Sequence, residues 1–235
     1  MIDERLFPAA ARVVYMYTGT PAGEPDLSNY EQLHPEERIV VSRSVSKRKG
    51  EFGDARWCAH EALRELGVDS VNAILKGEKG MPLWPEGYTG SLTHTEGLRV
   101  AVAAPTDALR SVGIDAEPAQ PLPEGVLDQI ARSPERHWVD MQKAAGNDWA
   151  DRLLFCAKEA TYKAWFPMTL RWLGFEDAEI DIRPDGTFTA YILVRPTPLP
   201  FIEGRWLVTR GYVCAATFVP AADLKSGGAG DEGRR

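Results

Sequence analysis

The chain has 235 residues, 44% of them apolar, and a formal net charge of −7. That is enough length and apolar content to bury a sizeable core, as one large domain or two small ones packed together. The negative balance argues against a nucleic-acid binder, whose affinity rests on neutralising phosphates. No apolar run approaches the roughly 20 residues that span a bilayer, and Met1-Ile2-Asp3-Glu4-Arg5 lacks the basic-then-apolar order of a signal peptide. No membrane partner is expected, and a cytoplasmic location is the default. Cys58, Cys156 and Cys214 are odd in number, far apart and set among apolar residues, as reduced, buried thiols would be.

In chain order, Arg12–Tyr17 reads as a strand and Thr18–Asn29, rich in Gly and Pro, as a loop. From about Leu33 the pattern turns helical, and a second helix is expected from about Glu51 to Leu66, ended by Gly67. Its residues Phe52, Ala55, Ala59, Ala62, Leu63 and Leu66 fall at helical spacing, while Arg56 and His60 lie four apart and project together. Arg38, Arg43, Lys47, Arg48 and Lys49 form a run with no acid among them, a basic patch suited to a small polyanion or an acidic partner surface.

Leu75–Pro85 is a loop whose glycines allow close backbone approach to a ligand, flanked by Lys76 and Lys79. Gly90-Ser91-Leu92-Thr93-His94 then brings two hydroxyls and an imidazole to the start of a strand over Leu98–Ala103. In Val112-Gly113-Ile114-Asp115-Ala116-Glu117 apolar residues alternate with Gly, Asp and Glu. As a strand, it sends one face to the core and carries two carboxylates on the other. An isolated D-x-E is usually a pair of solvated acids; a hard divalent ion would also relieve their repulsion.

After a Pro-rich break at 118–123 and a partly helical stretch over Leu127–Ala145, a strong helix is expected from Trp149 to Phe166, closed by Pro167. Trp149, Leu153, Cys156, Ala157, Ala160 and Ala164 form its apolar stripe. Glu159 and Lys163 share another face at i, i+4, where the ordinary outcome is a solvated ion pair. The remainder is β-rich: Glu179–Ile182, Phe188–Val194, Arg205–Val208 and Tyr212–Phe218, before a disordered tail over 221–235. Each half runs helix, then strands. An α+β fold of two pseudo-duplicated halves, 1–108 and 109–220, with the active site in the cleft between them, is the expected architecture.

V-G-I-D-A-E at 112–117, F-C-A-K-E-A-T-Y-K-A-W at 155–165 and S-L-T-H at 91–94 together resemble the signature of the 4′-phosphopantetheinyl transferases. The resemblance is to the monomeric, pseudo-dimeric kind and is closest to actinobacterial enzymes serving fatty-acid, polyketide and nonribosomal-peptide synthesis. It extends to Lys47-Arg48-Lys49, R-W-C-A at 56–59 and K-G-E-K-G at 76–80. It implies transfer of phosphopantetheine from coenzyme A to a serine of acyl or peptidyl carrier proteins, with release of adenosine 3′,5′-bisphosphate. By the same resemblance Asp115, Glu117 and Glu159 would hold Mg²⁺ or Mn²⁺, Glu117 directly or through water, and Glu159 would also take the serine proton. Lys158 and Lys163 would contact the pyrophosphate. Arg48, Arg56, Lys76, Lys79 and His94 would serve the 3′-phosphate and adenine end, with Gly80, Ser91 and Thr93 beside them. Ala116 and Cys156 depart from the family's common residues without removing a charged group. Another Mg²⁺-dependent phosphoester enzyme and a non-catalytic coenzyme A-binding protein are the alternative readings.

Overall fold

The computed structural model describes residues 4–19, 25–68 and 72–221; the expected tail from 222 onward lies outside them. The first half comprises strand β1 (Arg12–Tyr17), helices α1 (Ser28–Gln32), α2 (Pro35–Val40) and α3 (Ser46–Glu65), and the hairpin β2 (Tyr88–Thr95) and β3 (Leu98–Pro105). The second comprises β4 (Leu109–Pro118), helices α4 (Val126–Ile130), α5 (Ser133–Ala144) and α6 (Ala150–Thr169), then β5 (Ala178–Ile182), β6 (Thr187–Ile192), β7 (Phe201–Thr209) and β8 (Tyr212–Pro220).

The sheets are ordered β1-β3-β2 and β4-β8-β7-β6-β5, antiparallel throughout. The duplication is visible in this order: β1, α3, β2 and β3 occupy the places of β4, α6, β7 and β8, to which the second half adds β5 and β6. The alternation of β3 shows how the halves join. Leu98, Val100, Val102 and Ala104 pack against Val112, Ile114 and Ala116 of β4 and Ala216 of β8, while Ala101 and Ala103 face Cys58, Ala59 and Ala62 of α3.

Four local expectations are corrected. Helix α3 begins at Ser46, not near Glu51, because Lys47, Arg48 and Lys49 are good helix formers that carry no apolar period to reveal them. Residues 88–95 form a strand of their own rather than the start of the next one. Helix α6 runs past Pro167 to Thr169: the lost N–H falls in the last turn, where Leu170 N–H bonds Phe166 O at 2.8 Å and the Thr169 hydroxyl bonds Trp165 O at 3.0 Å. Finally, the acids of β4 do not share an open solvent face: Glu117 is half-buried and Asp115 is covered. Asp115 is only 4% exposed, because α6 covers the side where Gly113 and Asp115 point. Gly113 makes that possible: a Cβ there would press into Ala160 O, with Thr217 Oγ1 at 2.8 Å and Ala164 N at 2.9 Å.

Candidate active site

The facing edges of the two sheets are β2 and β4, and side-chain hydroxyls stitch them together. Ser91 Oγ accepts the Ile114 N–H at 3.2 Å, the Thr93 hydroxyl donates to Asp115 Oδ1 at 2.9 Å, and the Thr95 hydroxyl donates to Glu117 Oε2 at 3.1 Å. Matching two-residue steps on both strands create this register. Thr95 was not among the residues singled out from sequence, yet its spacing from Thr93 equals that of Glu117 from Asp115.

One cleft is lined by nine of the expected site residues: Arg48, Arg56, Lys76, Lys79, Gly80, Ser91, His94, Glu159 and Lys163. Phe52, Tyr162 and Phe166, apolar walls that no charge pattern could indicate, line it too. The first half supplies cations. The Arg56 guanidinium sits 4.8 Å from the centroid of the Phe52 ring, and Lys76 Nζ lies 5.6 Å from it. Burial and the charges of Arg48 and Arg56 push the Lys76 ammonium down, and burial brings Arg56 to about 10; Glu51, 3.4 Å from Arg48, is the acid that the first half sets in the same cleft. Lys79 and Gly80 sit in a turn with positive φ of 51° and 84°.

His94 Nε2 lies 2.7 Å from Arg48 Nη1. A guanidinium only donates, so that ring nitrogen accepts and the imidazole is neutral. Burial and then the Arg48 charge hold His94 down at about 4, in agreement. His94 thus meets Arg48 as a neutral acceptor and adds no further cation.

The second half supplies acids. Asp115 Oδ1 is saturated by Thr93 and by Lys163 Nζ at 2.7 Å; Lys163 also donates to Ile114 O at 3.0 Å. Lys163 thus reaches across to Asp115 rather than forming a surface pair with Glu159. Asp115 Oδ2 is buried with no hydrogen-bond partner. Burial first, then the Asp115 charge, raises both Glu117 and Glu159 above the ordinary glutamate range. Among the described residues no three His, Cys, Asp or Glu side chains are gathered as a ready metal cluster. The chemistry of the donors nonetheless fits a hard divalent ion: an orphaned buried carboxylate oxygen and two further acids whose charge is unfavourable without a cation.

Lys158 is placed apart from this cleft. Its ammonium pairs with Glu135 at 2.8 Å and donates to Phe175 O and Ala178 O at 2.6 and 2.9 Å. One residue from Glu159 is a turn of about 100° on the helix, which directs Lys158 toward α5 and β5, where buried Glu135 needs a counter-charge.

The sequence model of the 4′-phosphopantetheinyl transferase N-terminal domain matches residues 35–104, and that of the 4′-phosphopantetheinyl transferase superfamily matches 111–217. The chain belongs to the 4′-phosphopantetheinyl transferases. It is 49% identical over 215 residues to 4′-phosphopantetheinyl transferase Npt of Nocardia iowensis, covering 83% of this chain and 96% of that protein. To PptT of Mycobacterium tuberculosis it is 52% identical over 192 residues, 77% of this chain and 84% of the relative. Svp of Streptomyces mobaraensis is 42% identical over 240 residues, 97% and 94% of the two chains. The two family matches divide where β3 ends and β4 begins, and the cleft is lined from both matched regions.

Proposed function

We propose that coenzyme A lies in this cleft with its 3′-phosphate and adenine among Arg48, Arg56, Lys76, Lys79 and His94, and with its diphosphate beside Asp115, Glu159 and Lys163. The reaction is phosphopantetheine transfer to a carrier-protein serine, with adenosine 3′,5′-bisphosphate as the leaving group. The observation that carries the reading is the gathering in one cleft of cations on α3 and the 76–80 turn with half-buried Glu159 and with Lys163, whose ammonium is bound to buried Asp115 of β4. A substrate with several phosphate charges at one end and a reacting diphosphate at the other suits both sides.

Asp115, Glu117 and Glu159 would hold a divalent ion, Mg²⁺ or Mn²⁺, which supplies positive charge where the diphosphate oxygens gain negative charge. Lys163, anchored by Asp115 and the Ile114 carbonyl, adds a fixed ammonium at the same place. Glu159 accepts the serine proton, directly or through water, as the serine oxygen bonds to the β-phosphorus and the bond to the bisphosphate breaks. Ser91 and Thr93 hold β2 and β4 in register for this. Lys158, tied to Glu135, takes a supporting place beneath α6.

An acidic carrier-protein surface would dock on the exposed segment carrying Arg38, Arg43 and Lys47. A single chain acting alone, in the cytoplasm, belongs to the same proposal: halves 1–108 and 109–220 supply both walls of the cleft, and the three thiols are buried and unpaired. No helix among the described residues is long and apolar enough to cross a membrane. Intact-mass spectrometry tests the reading. An apo carrier protein incubated with coenzyme A, Mg²⁺ and the enzyme gains about 340 Da, the mass of the transferred group. Tight coenzyme A binding without that gain, across several carrier proteins, would instead indicate a binding protein.

A further inference from the structure

Glu37 is fully buried and no step of the proposed chemistry uses it. It stands at the third position of α2, after Pro35. Its two carboxylate oxygens each lie 3.0 Å from His60 Nε2, and Oε1 also accepts the Ile74 N–H at 3.0 Å. Arg56 Nε is 3.9 Å from the same Oε1, beyond hydrogen-bond reach, and is buried without a hydrogen-bond partner. A buried carboxylate is strongly unfavourable unless cations face it, so Arg56 and the segment leading from Ile74 to Lys76 are drawn to one charge.

The second half repeats the device. Glu135, also at the third position of its helix, is 2% exposed, accepts the Ile180 N–H at 2.7 Å and pairs with Lys158 of α6 at 2.8 Å. There the cation is consumed by its glutamate and two carbonyls. In the first half Arg56 is held by charge at a distance and by the face of Phe52, and it lines the cleft.

We infer that Glu37 is a positioning residue for substrate specificity: through Arg56 and the Ile74–Lys76 segment, it sets the cleft to recognise a nucleotide bearing a 3′-phosphate. The inference rests on the reading that this end of the cleft takes the 3′-phosphate of coenzyme A.

Calorimetric titration of the full chain with adenosine 3′,5′-bisphosphate and with adenosine 5′-monophosphate tests it. The wild type prefers the bisphosphate. Glu37→Gln keeps most hydrogen bonds but removes the charge, and lowers that preference roughly tenfold with monophosphate affinity unchanged. In turnover the KM for coenzyme A rises while kcat holds. Glu37→Gln adds less than its own full effect to the loss caused by Arg56→Ala, since part of its action passes through that guanidinium. A folded Glu37→Gln chain with the wild-type preference overturns the inference, as does equal loss of both nucleotides or full additivity with Arg56→Ala. If Glu37→Gln does not fold, Glu37→Asp, which withdraws the charge by one methylene, must lower the same ratio; an unaltered ratio overturns the inference. A wild type that binds the two nucleotides equally overturns the 3′-phosphate assignment itself, and the inference with it.

Discussion

Helices α3 and α6 hold equivalent places in the two halves, yet they differ in burial and in the side chains they send to the cleft. Helix α3 buries one side, through Phe52, Ala55, Cys58, Ala59, Ala62 and Leu63, and sends Arg48, Arg56 and the Arg48 partner Glu51. Helix α6 is buried nearly all round, with Leu154, Thr161, Trp165 and Phe166 covered in addition to its apolar stripe, and sends Glu159 and Lys163. Under the proposed function the two helices divide the work: Arg48 and Arg56 of α3 bind the nucleotide, and Glu159 of α6 faces the reacting diphosphate, where limited water access strengthens the charge interactions. One fold used twice would thus separate binding from chemistry.

The sharpest way to break this division is to set Glu159→Gln beside Arg56→Ala. Loss of the base is expected to lower kcat about a thousandfold with coenzyme A still bound, whereas Arg56→Ala raises the KM for coenzyme A about tenfold with kcat kept. Steady-state kinetics with calorimetric binding decides it; a Glu159→Gln enzyme impaired only in KM would end the separation. Next in size is Glu135→Gln, which strands the buried Lys158 ammonium and destabilises the chain by about 3 kcal/mol. Thermal melting reads this, with nucleotide preference unchanged, because the second-half pair does not touch the cleft cations. A changed preference would mean that the two glutamates are not separate devices.

A pH dependence follows from burial in the metal-free chain. Burial and the Asp115 charge raise Glu159 and Lys163 pulls it down, so without a divalent ion Glu159 takes up its proton, as pH falls, at a higher pH than an ordinary glutamate. Lys163→Met should move that step higher still, and added Mg²⁺ should move it lower, since a cation favours the carboxylate. A carboxyl-resolved NMR titration reads both; a step unmoved in Lys163→Met would remove Lys163 as the charge facing Glu159.

Much of this was legible in the sequence because it was periodic or charged. The alternation at 112–117 indicated the strand that carries Asp115, and the apolar stripe of Leu153, Cys156, Ala157, Ala160 and Ala164 indicated α6. What stayed hidden was set by tertiary partners. Lys158 sits beside Glu159 in a recognisable motif, but its direction is decided by Glu135, 23 residues earlier. Glu37 looks like an ordinary first-turn acid until Ile74, 37 residues later, closes over it. Pro167 reads as a stop because a single-residue rule cannot know that the helix has only two further residues to run.

The smallest expected effect concerns how the basic segment from Arg38 to Lys49 meets a protein partner. Arg43 is exposed, lies outside the cleft lining and is flanked by Ile39 and Val45, 70% and 74% exposed. Aliphatic side chains left this open beside cations suit an acidic, partly apolar docking face. Arg43→Glu should raise the KM for carrier protein about threefold at low salt, and the difference should shrink as salt shortens the reach of exposed charges. Nucleotide affinity should stay constant, because Arg43 takes no part in the cluster around Phe52. A KM unmoved at low salt would take carrier docking away from this segment and leave Arg48, turned to the cleft, as the part of the basic run that matters.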